Sequence, residues 1–199
     1  MTLTKAEWRE RLLSARRAME LEARRAASAA VVERLASLPA FDQSQSILLY
    51  AAIGAEIDPA ALAAVAWRHG KEVRQPASPE LPPSWVALSP PPGIALGAAA
   101  DVRDPAVLVV VPGIAFDATG RRLGRGLGYY DRALAALRRD QPVTAVGIAY
   151  ELQIVAELPH DPWDEPVDVI VTERRVLPCR ATPSGAFGRR GTAEVRDES

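Results

Sequence analysis

The sequence contains little cysteine, histidine or lysine. Of its 199 residues one is cysteine and two are histidine, and only Lys5 and Lys71 of the 24 basic residues are lysine. A lone Cys179 excludes an intrachain disulfide and a cysteine-based zinc site, and is typical of a reducing compartment. With only His69 and His160 available, a Ser/His/Asp or Cys/His catalytic set has few candidates.

A long apolar run and an excess of charge of either sign are also absent. The longest apolar stretch, residues 106–116, is interrupted by Pro112 and Gly113 and is too short to span a bilayer. Five charged residues lie where a signal peptide needs an apolar core, namely Lys5, Glu7, Arg9, Glu10 and Arg11. The net charge of −1 argues against general attraction to nucleic acid or to anionic lipid. We expect a cytoplasmic protein without a nucleic-acid or membrane partner.

Strand and helix patterns alternate along most of the chain. Helical spacing covers the first forty residues, beginning at a capping box formed by Thr4 and Glu7. Such alternation favours a parallel sheet covered by helices. We therefore predict one three-layer α/β/α domain over residues 1–177, with N-terminal helices and a disordered tail at 178–199. The predicted strands are 46–53, 71–76, 85–88, 106–111, 143–150 and 167–172, with a helix at 130–139.

The segment that carries chemistry is residues 112–132, PGIAFDATGRRLGRGLGYYDR. It lies between a strand and a helix, where open α/β sheets bind ligands. Gly124, Gly126 and Gly128 lack Cβ atoms, which allows positive φ and lets a ligand approach backbone N–H groups. With Arg125 they form a candidate phosphate cradle, beside which Asp131 is a candidate Mg²⁺ ligand. The spacing is neither a Walker A loop nor a dinucleotide fingerprint, so a solvated surface loop remains the alternative.

This segment closely resembles the signature of the 5-formyltetrahydrofolate cyclo-ligase family (methenyltetrahydrofolate synthetase). The pattern shared with that family is Pro-Gly-x-x-Phe-Asp followed by Gly-x-Arg-Leu-Gly-x-Gly-x-Gly-Tyr-Tyr-Asp. Four flanking matches occur in the same order, at Lys5 with Arg9, at YAAIGAEID (50–58), at VGIAYELQ (146–153) and at PVDVIVTE (166–173). The resemblance covers about residues 5–173 apart from the middle loop, and the glycine–tyrosine motif is specific.

The resemblance implies a role for each matching residue. Lys5 and Arg9 would contact ATP phosphates, although a solvated helix face is the alternative. The triphosphate would be wrapped by Arg122, Leu123, Gly124, Arg125, Gly126, Leu127, Gly128, Tyr129 and Tyr130. Within this loop Arg125 would be the catalytic residue, closest to the transferred phosphate.

The folate and metal sites are likewise implied by the resemblance. Glu56 would bind the reduced pterin and Ala51 would line its pocket, joined by Arg125, Gly126, Gly128 and Tyr129. Asp131 and Asp168 would be the Mg²⁺ ligands. The ordinary alternatives are a solvated loop acid for Glu56, a half-buried core tyrosine for Tyr129, and helix or strand caps for the two aspartates.

The implied reaction matches this set of residue types. In such enzymes the formyl oxygen of 5-formyltetrahydrofolate attacks the γ-phosphate of ATP, N10 closes the ring, and phosphate leaves from 5,10-methenyltetrahydrofolate. Phosphoryl transfer needs positioning and charge neutralisation more than a protein nucleophile. The expected ligands are therefore ATP, Mg²⁺ and a reduced folate, and we expect the protein to be a monomer.

Residues 77–105 depart from the family pattern. Ala77 follows Pro76 where a basic residue is usual, and the segment carries seven prolines. Three hypotheses therefore stay open: a cyclo-ligase, a MgATP-binding relative that has lost folate chemistry and acts as a binding or regulatory module, and a phosphosugar isomerase or CoA-transferase-like enzyme. The third rests on fold analogy alone.

Overall fold

A seven-stranded sheet forms the centre of the protein. The structure, a computed structural model, describes residues 3–78, 83–97 and 106–179. The strands are β1 Ser44–Leu48, β2 Glu72–Pro76, β3 Trp85–Ala87, β4 Ala106–Pro112, β5 Ala115–Asp117, β6 Arg122–Leu123, β7 Val143–Ile148, β8 Ile154–Val155, β9 Val169–Val171 and β10 Val176–Pro178. The central sheet has the order β10-β9-β7-β4-β1-β2-β3, in which only the outer strands β3 and β10 pair antiparallel.

Helices cover both faces of this sheet. They are α1 Lys5–Arg17, α2 Leu21–Ala36, α3 Pro39–Gln43, α4 Ala60–Arg68 and α5 Tyr129–Asp140. Strand β4 shows the two-sided burial, since Leu108 and Val110 pack with α2 and α4 while Val109 and Val111 pack with Leu134 of α5. A strand buried on both faces reads as a continuous apolar run, as AVLVVV does. The predicted three-layer α/β fold with N-terminal helices is thereby confirmed.

A second, three-stranded sheet of order β6-β5-β8 was not predicted. Its strands have two or three residues, which is too short for a period of two to show in the sequence. Helix α1 packs on this small sheet through Leu12, which joins Ile114, Ala115 and Leu123 in a separate apolar cluster. The segment 112–132 is thus partly strand rather than wholly loop.

Other boundaries differ from the predictions by a few residues. The first strand ends at Leu48 rather than at residue 53. The sequence suggested a longer strand because Leu49 and Tyr50, which follow the strand, are also buried and extend the apolar run. Strand β10 includes Pro178, and the Cys179 N–H donates to the Asp168 carbonyl at 2.9 Å, so these two residues of the predicted tail pack with the sheet. The remaining predicted tail, 180–199, lies outside the described residues. No helix within the described ranges is long and apolar enough to cross a membrane.

The ring of Phe116 fills the space beside two glycines at the carboxyl ends of β4 and β7. Phe116 is fully buried. A Cβ atom added to Gly147 would lie 2.5 Å from Phe116 Cε1, and one added to Gly113 would lie 2.5 Å from the same ring. The two strands therefore accept the ring only because both positions lack side chains.

We expect Gly147→Ala to lower the free energy of unfolding by about 1–3 kcal/mol, because the added methyl group overpacks the core against Phe116. Urea denaturation measures this change. In a Phe116→Leu background the same substitution should cost less, since the clashing ring atoms are gone. An equal cost in both backgrounds, or no cost in the wild type, would contradict the packing argument.

Candidate functional site

A cleft of about 900 Å³ opens where the parallel strands β1, β2 and β4 end. Its walls come from the segments after these strands, from one face of α1, from the glycine-rich loop and first turn of α5, and from residues 161–164. Predicted site residues that line it are Lys5, Arg9, Ala51, Glu56, Arg122, Leu123, Gly124, Arg125, Gly126, Leu127, Gly128, Tyr129, Tyr130 and Asp131. Asp168 is the one predicted site residue that does not line the cleft.

The glycine-rich loop enters helix α5 through a left-handed residue. Gly126 and Gly128 have φ of 95° and 61°, and Gly128 is the N-cap of α5. No side chain caps this helix, and the residues of its first turn, Tyr129 to Asp131, line the cleft. Of the three glycines for which the sequence suggested positive φ, Gly126 and Gly128 adopt it and Gly124 does not. A helix N-terminus with backbone donors of this kind favours an anion.

Buried polar side chains form hydrogen bonds to the backbone near the start of the glycine-rich loop. The Asp117 carboxylate is buried and accepts hydrogen bonds from the N–H groups of Thr119 and Leu158, at 2.9 and 3.0 Å. Gln153 Nε2 donates to the carbonyl oxygens of Gly113 and Ile114, both at 2.9 Å. These contacts tie the small sheet to the end of β4 and so fix the base of the loop.

Two arginines of the loop make ion pairs inside the cleft. Arg122 Nη2 lies 2.8 Å from Asp131 Oδ1, and the Arg122 side chain is only 6% exposed. Arg125 Nη2 lies 2.8 Å from Glu56 Oε1, with the Arg125 side chain about half exposed. The residue predicted nearest the transferred phosphate therefore touches the residue predicted to bind the pterin.

Helix α1 contributes two cationic side chains, Lys5 and Arg9, to the lining of the cleft. Arg9 Nε donates to the carbonyl oxygen of Gly124 at 2.9 Å. Lys5 Nζ donates to Asp161 Oδ2 at 2.8 Å and to Asp164 Oδ2 at 3.3 Å. Burial opposes the charge on Lys5, but the bonds to the two aspartates outweigh it and raise the Lys5 pKa. Both residues line the cleft instead of forming a solvated helix face.

Arg16, on the same helix, was not predicted as a site residue. Its side chain is 3% exposed, with Nη2 3.7 Å from Glu56 Oε1 and Nη1 3.3 Å from the carbonyl oxygen of Gly113. Burial lowers the Arg16 pKa, and the Glu56 charge opposes that effect. Glu56 Oε2 in turn accepts from the N–H of Ile53 at 3.0 Å. The available signal was spacing, since positions 5, 9 and 16 share one helix face.

The two tyrosines that open α5 differ in their surroundings. Tyr130 packs against both main core clusters, and burial raises its pKa. The Tyr129 ring meets the Tyr130 ring edge to face at 5.3 Å. The Tyr129 hydroxyl oxygen is buried and has no partner among the described residues, and burial raises the Tyr129 pKa. Buried polar atoms are normally hydrogen-bonded, so this oxygen is a candidate for a contact with a bound ligand.

Each of the two predicted metal ligands is engaged by an arginine and by a backbone N–H group. Asp131 Oδ1 accepts from Arg122 Nη2 and from the N–H of Glu165, at 2.8 and 3.2 Å. Asp168 Oδ2 accepts from the N–H of Ala145 and from Arg138 Nη2, at 2.7 and 3.0 Å. Within the described part of the chain no group of three or more histidine, cysteine or acidic residues could hold a metal ion.

The fold and cleft define a class: three-layer α/β proteins with a glycine- and arginine-lined cleft at the carboxyl edge of a parallel sheet. Residues 1–173 match the sequence model of the 5-formyltetrahydrofolate cyclo-ligase family. The chain therefore belongs to the 5-formyltetrahydrofolate cyclo-ligase family. The resemblance found in the glycine–tyrosine motif is thereby confirmed.

Individual relatives agree with this assignment. The chain is 30% identical over 184 residues to 5-formyltetrahydrofolate cyclo-ligase of Escherichia coli K12, covering 81% of this chain and 96% of that protein. It is similar to the solved structure of 5,10-methenyltetrahydrofolate synthetase from Aquifex aeolicus, with a TM-score of 0.71, 33% identity, and coverage of 96% and 100%. The synthetase from Mycoplasma pneumoniae shares the fold, with a TM-score of 0.64, 23% identity, and coverage of 86% and 99%.

We expect Arg16→Met to lower the free energy of unfolding by about 1–3 kcal/mol, because it removes the buried cation paired with the Glu56 carboxylate and one of the two donors to the Gly113 carbonyl. Urea denaturation again measures the change. The matched control is Arg17→Met on the exposed side of the same helix, which should cost no more than about 0.5 kcal/mol. Equal costs for the two variants would show that Arg16 does not hold Glu56.

Proposed function

We propose that the protein uses ATP to cyclise 5-formyltetrahydrofolate to 5,10-methenyltetrahydrofolate, with release of ADP and phosphate. The observation that carries the proposal is the 2.8 Å contact between Arg125 and Glu56 inside one cleft. The proposed phosphate-binding loop and the proposed pterin-binding carboxylate are thus close enough for one substrate to react with the other. Membership of the cyclo-ligase family supports the same reaction.

The proposed reaction has two steps, phosphoryl transfer and ring closure. The formyl oxygen attacks the γ-phosphorus of ATP, the bond to the β-phosphate oxygen breaks, and ADP leaves. N10 then attacks the activated formyl carbon, its proton is lost, and the bond from that carbon to the phosphorylated oxygen breaks with release of phosphate. Neither step needs a protein nucleophile, in agreement with the scarcity of histidine and cysteine.

The chain supplies charge and position in this proposal. Arg125 is half exposed, so its guanidinium is free to turn from Glu56 to the transferred phosphate. The N–H groups of Gly126, Gly128 and Tyr129 would bind phosphate oxygens, and Arg9 and Lys5 would neutralise charge along the triphosphate. This arrangement places donors where negative charge develops.

The folate half of the site would centre on Glu56. Its carboxylate is positioned by Arg16 and by the N–H of Ile53, and would accept hydrogen bonds from N–H groups of the reduced pterin. The Ala51 backbone lines the same end of the cleft. The unpartnered Tyr129 hydroxyl is a further group for the folate.

Asp131 fits a Mg²⁺ ion that accompanies ATP. It lines the cleft, and both of its described hydrogen bonds fall on Oδ1, which leaves Oδ2 for the cation. When bound, Mg²⁺ would neutralise phosphate charge. Asp168 is engaged by Arg138 outside the cleft lining, so its role as a second ligand stays a prediction. The monomeric state and the cytoplasmic location also stay predictions.

A MgATP-binding relative without folate chemistry is the second candidate. The departure from the family pattern begins at Ala77, which lines the cleft with Gln75, Pro76 and Ser78. Residues 79–82 and 98–105 of the divergent segment lie outside the described residues. Saturable micromolar binding of 5-formyltetrahydrofolate in calorimetry would exclude this candidate. Family membership favours either of these over the third hypothesis.

We expect purified protein to form methenyltetrahydrofolate, followed by its near-ultraviolet absorbance, only when MgATP and 5-formyltetrahydrofolate are both present. Arg125→Ala and Asp131→Asn should each lower kcat by a factor of about 10² or more, because the first removes a cation beside the transferred phosphate and the second removes the proposed Mg²⁺ ligand. The control is Arg139→Ala, an exposed arginine at the far end of α5, which should retain wild-type turnover. Near wild-type activity of Arg125→Ala would refute the placement of the phosphate site.

We also expect Glu56→Gln to raise the KM for the folate about tenfold or more while changing the KM for ATP much less, because the amide cannot accept hydrogen bonds at both of its terminal atoms. Initial rates measured with each substrate varied in turn give the two constants. A larger effect on the ATP constant would reassign Glu56 to the nucleotide.

A further inference from the structure

Trp163 is the most exposed large apolar side chain among the described residues, at 71%. It lines the cleft between two aspartates, Asp161 and Asp164. Nothing in the proposed phosphate or pterin chemistry uses an indole. A single exposed apolar residue is ordinary on an open surface. Trp163 instead lies on the wall of a cleft whose other groups suit a nucleotide, so its exposed indole is a candidate contact for the ligand.

The segment that carries Trp163 is held in place. Lys5 Nζ binds the carboxylates on both sides of the tryptophan, Asp161 at 2.8 Å and Asp164 at 3.3 Å. The segment also closes on itself, since the Asp161 N–H donates to Asp164 Oδ2 at 2.8 Å and the Asp164 N–H donates to the Asp161 carbonyl at 3.0 Å. The exposed indole therefore stands on a preorganised turn, which lowers the entropic cost of stacking against it.

The positions of three cationic residues on helix α1 show which groups lie at each end of the cleft. Lys5, Arg9 and Arg16 share one helix face, and eleven residues at 1.5 Å each separate Lys5 from Arg16 by about 16 Å. Arg16 contacts Glu56, Arg9 contacts the Gly124 carbonyl in the middle, and Lys5 contacts the turn with Trp163. Glu56 and the tryptophan are thus at opposite ends of this row of cations.

This direction decides which part of ATP approaches Trp163, and the argument rests on the proposed function. The γ-phosphate must lie beside Arg125, because it reacts with the folate held near Glu56. The α-phosphate and nucleoside then extend the other way, past Arg9 and Lys5. The base arrives at the end of the cleft where the exposed indole lies.

We propose that Trp163 is the platform on which the purine base of the nucleotide stacks. The indole presents a large flat apolar face at low conformational cost, and every purine has a π-face to place against it. Trp163 is therefore a binding residue for the nucleoside, separate from the groups that hold the phosphates.

Calorimetric titration of the full chain with MgATP and with magnesium tripolyphosphate separates the two parts of the ligand. Trp163→Ala should weaken MgATP roughly tenfold to a hundredfold and leave tripolyphosphate affinity unchanged, because only the nucleotide has a base to stack. Trp163→Phe should retain most of the affinity. Leu96→Ala, which removes another highly exposed apolar side chain, is the control and should bind MgATP as wild type does.

Fluorescence gives a second readout. MgATP should quench tryptophan emission in the wild type, and the quenching should be largely lost in Trp163→Phe. Equal weakening of ATP and tripolyphosphate in Trp163→Ala, unchanged ATP affinity in that variant, or no MgATP binding by the wild type would each overturn the platform. If MgATP binds as expected but no methenyltetrahydrofolate forms, the proposed function fails while the platform stands.

Discussion

The arrangement of charged groups in the cleft depends on one carboxylate, Glu56, which pairs with two guanidinium groups. Glu56 meets Arg125 at 2.8 Å and the buried Arg16 at 3.7 Å. A buried cation is costly unless it is paired, and Glu56 provides that partner for Arg16. The half-exposed Arg125 has no such constraint. The same carboxylate can therefore stay fixed at the proposed pterin end while Arg125 moves to the phosphate.

The fold brings these groups together from distant parts of the chain. Parallel strands end at one edge of the sheet, which places the segments after β1 and β4 beside each other. The small sheet then holds the glycine-rich loop over that edge, through Asp117 and Gln153. Phe116 fills the space beneath it only because Gly113 and Gly147 lack side chains. Packing and buried hydrogen bonds thus anchor the glycine-rich loop to the sheet.

Much of this arrangement was predictable from the sequence because it depends on local signals. The run AVLVVV predicts a buried strand, the alternating glycines predict positive φ, and a specific motif predicts the family. Helical spacing puts Arg16 on the same face as Lys5 and Arg9, but its role comes from a contact with Glu56 forty residues away, which spacing alone does not show. Trp163 was missed because burial and cleft lining depend on tertiary structure. The two-residue strands of the small sheet are too short for periodicity to detect.

In the proposed reaction the cleft brings the formyl oxygen of the folate to the γ-phosphate of ATP. The most direct measurement uses 5-formyltetrahydrofolate labelled with ¹⁸O in the formyl group, followed by mass analysis of the released phosphate. We expect the phosphate to contain one ¹⁸O atom for each methenyltetrahydrofolate formed. Unlabelled phosphate accompanying product formation would contradict direct attack by the formyl oxygen.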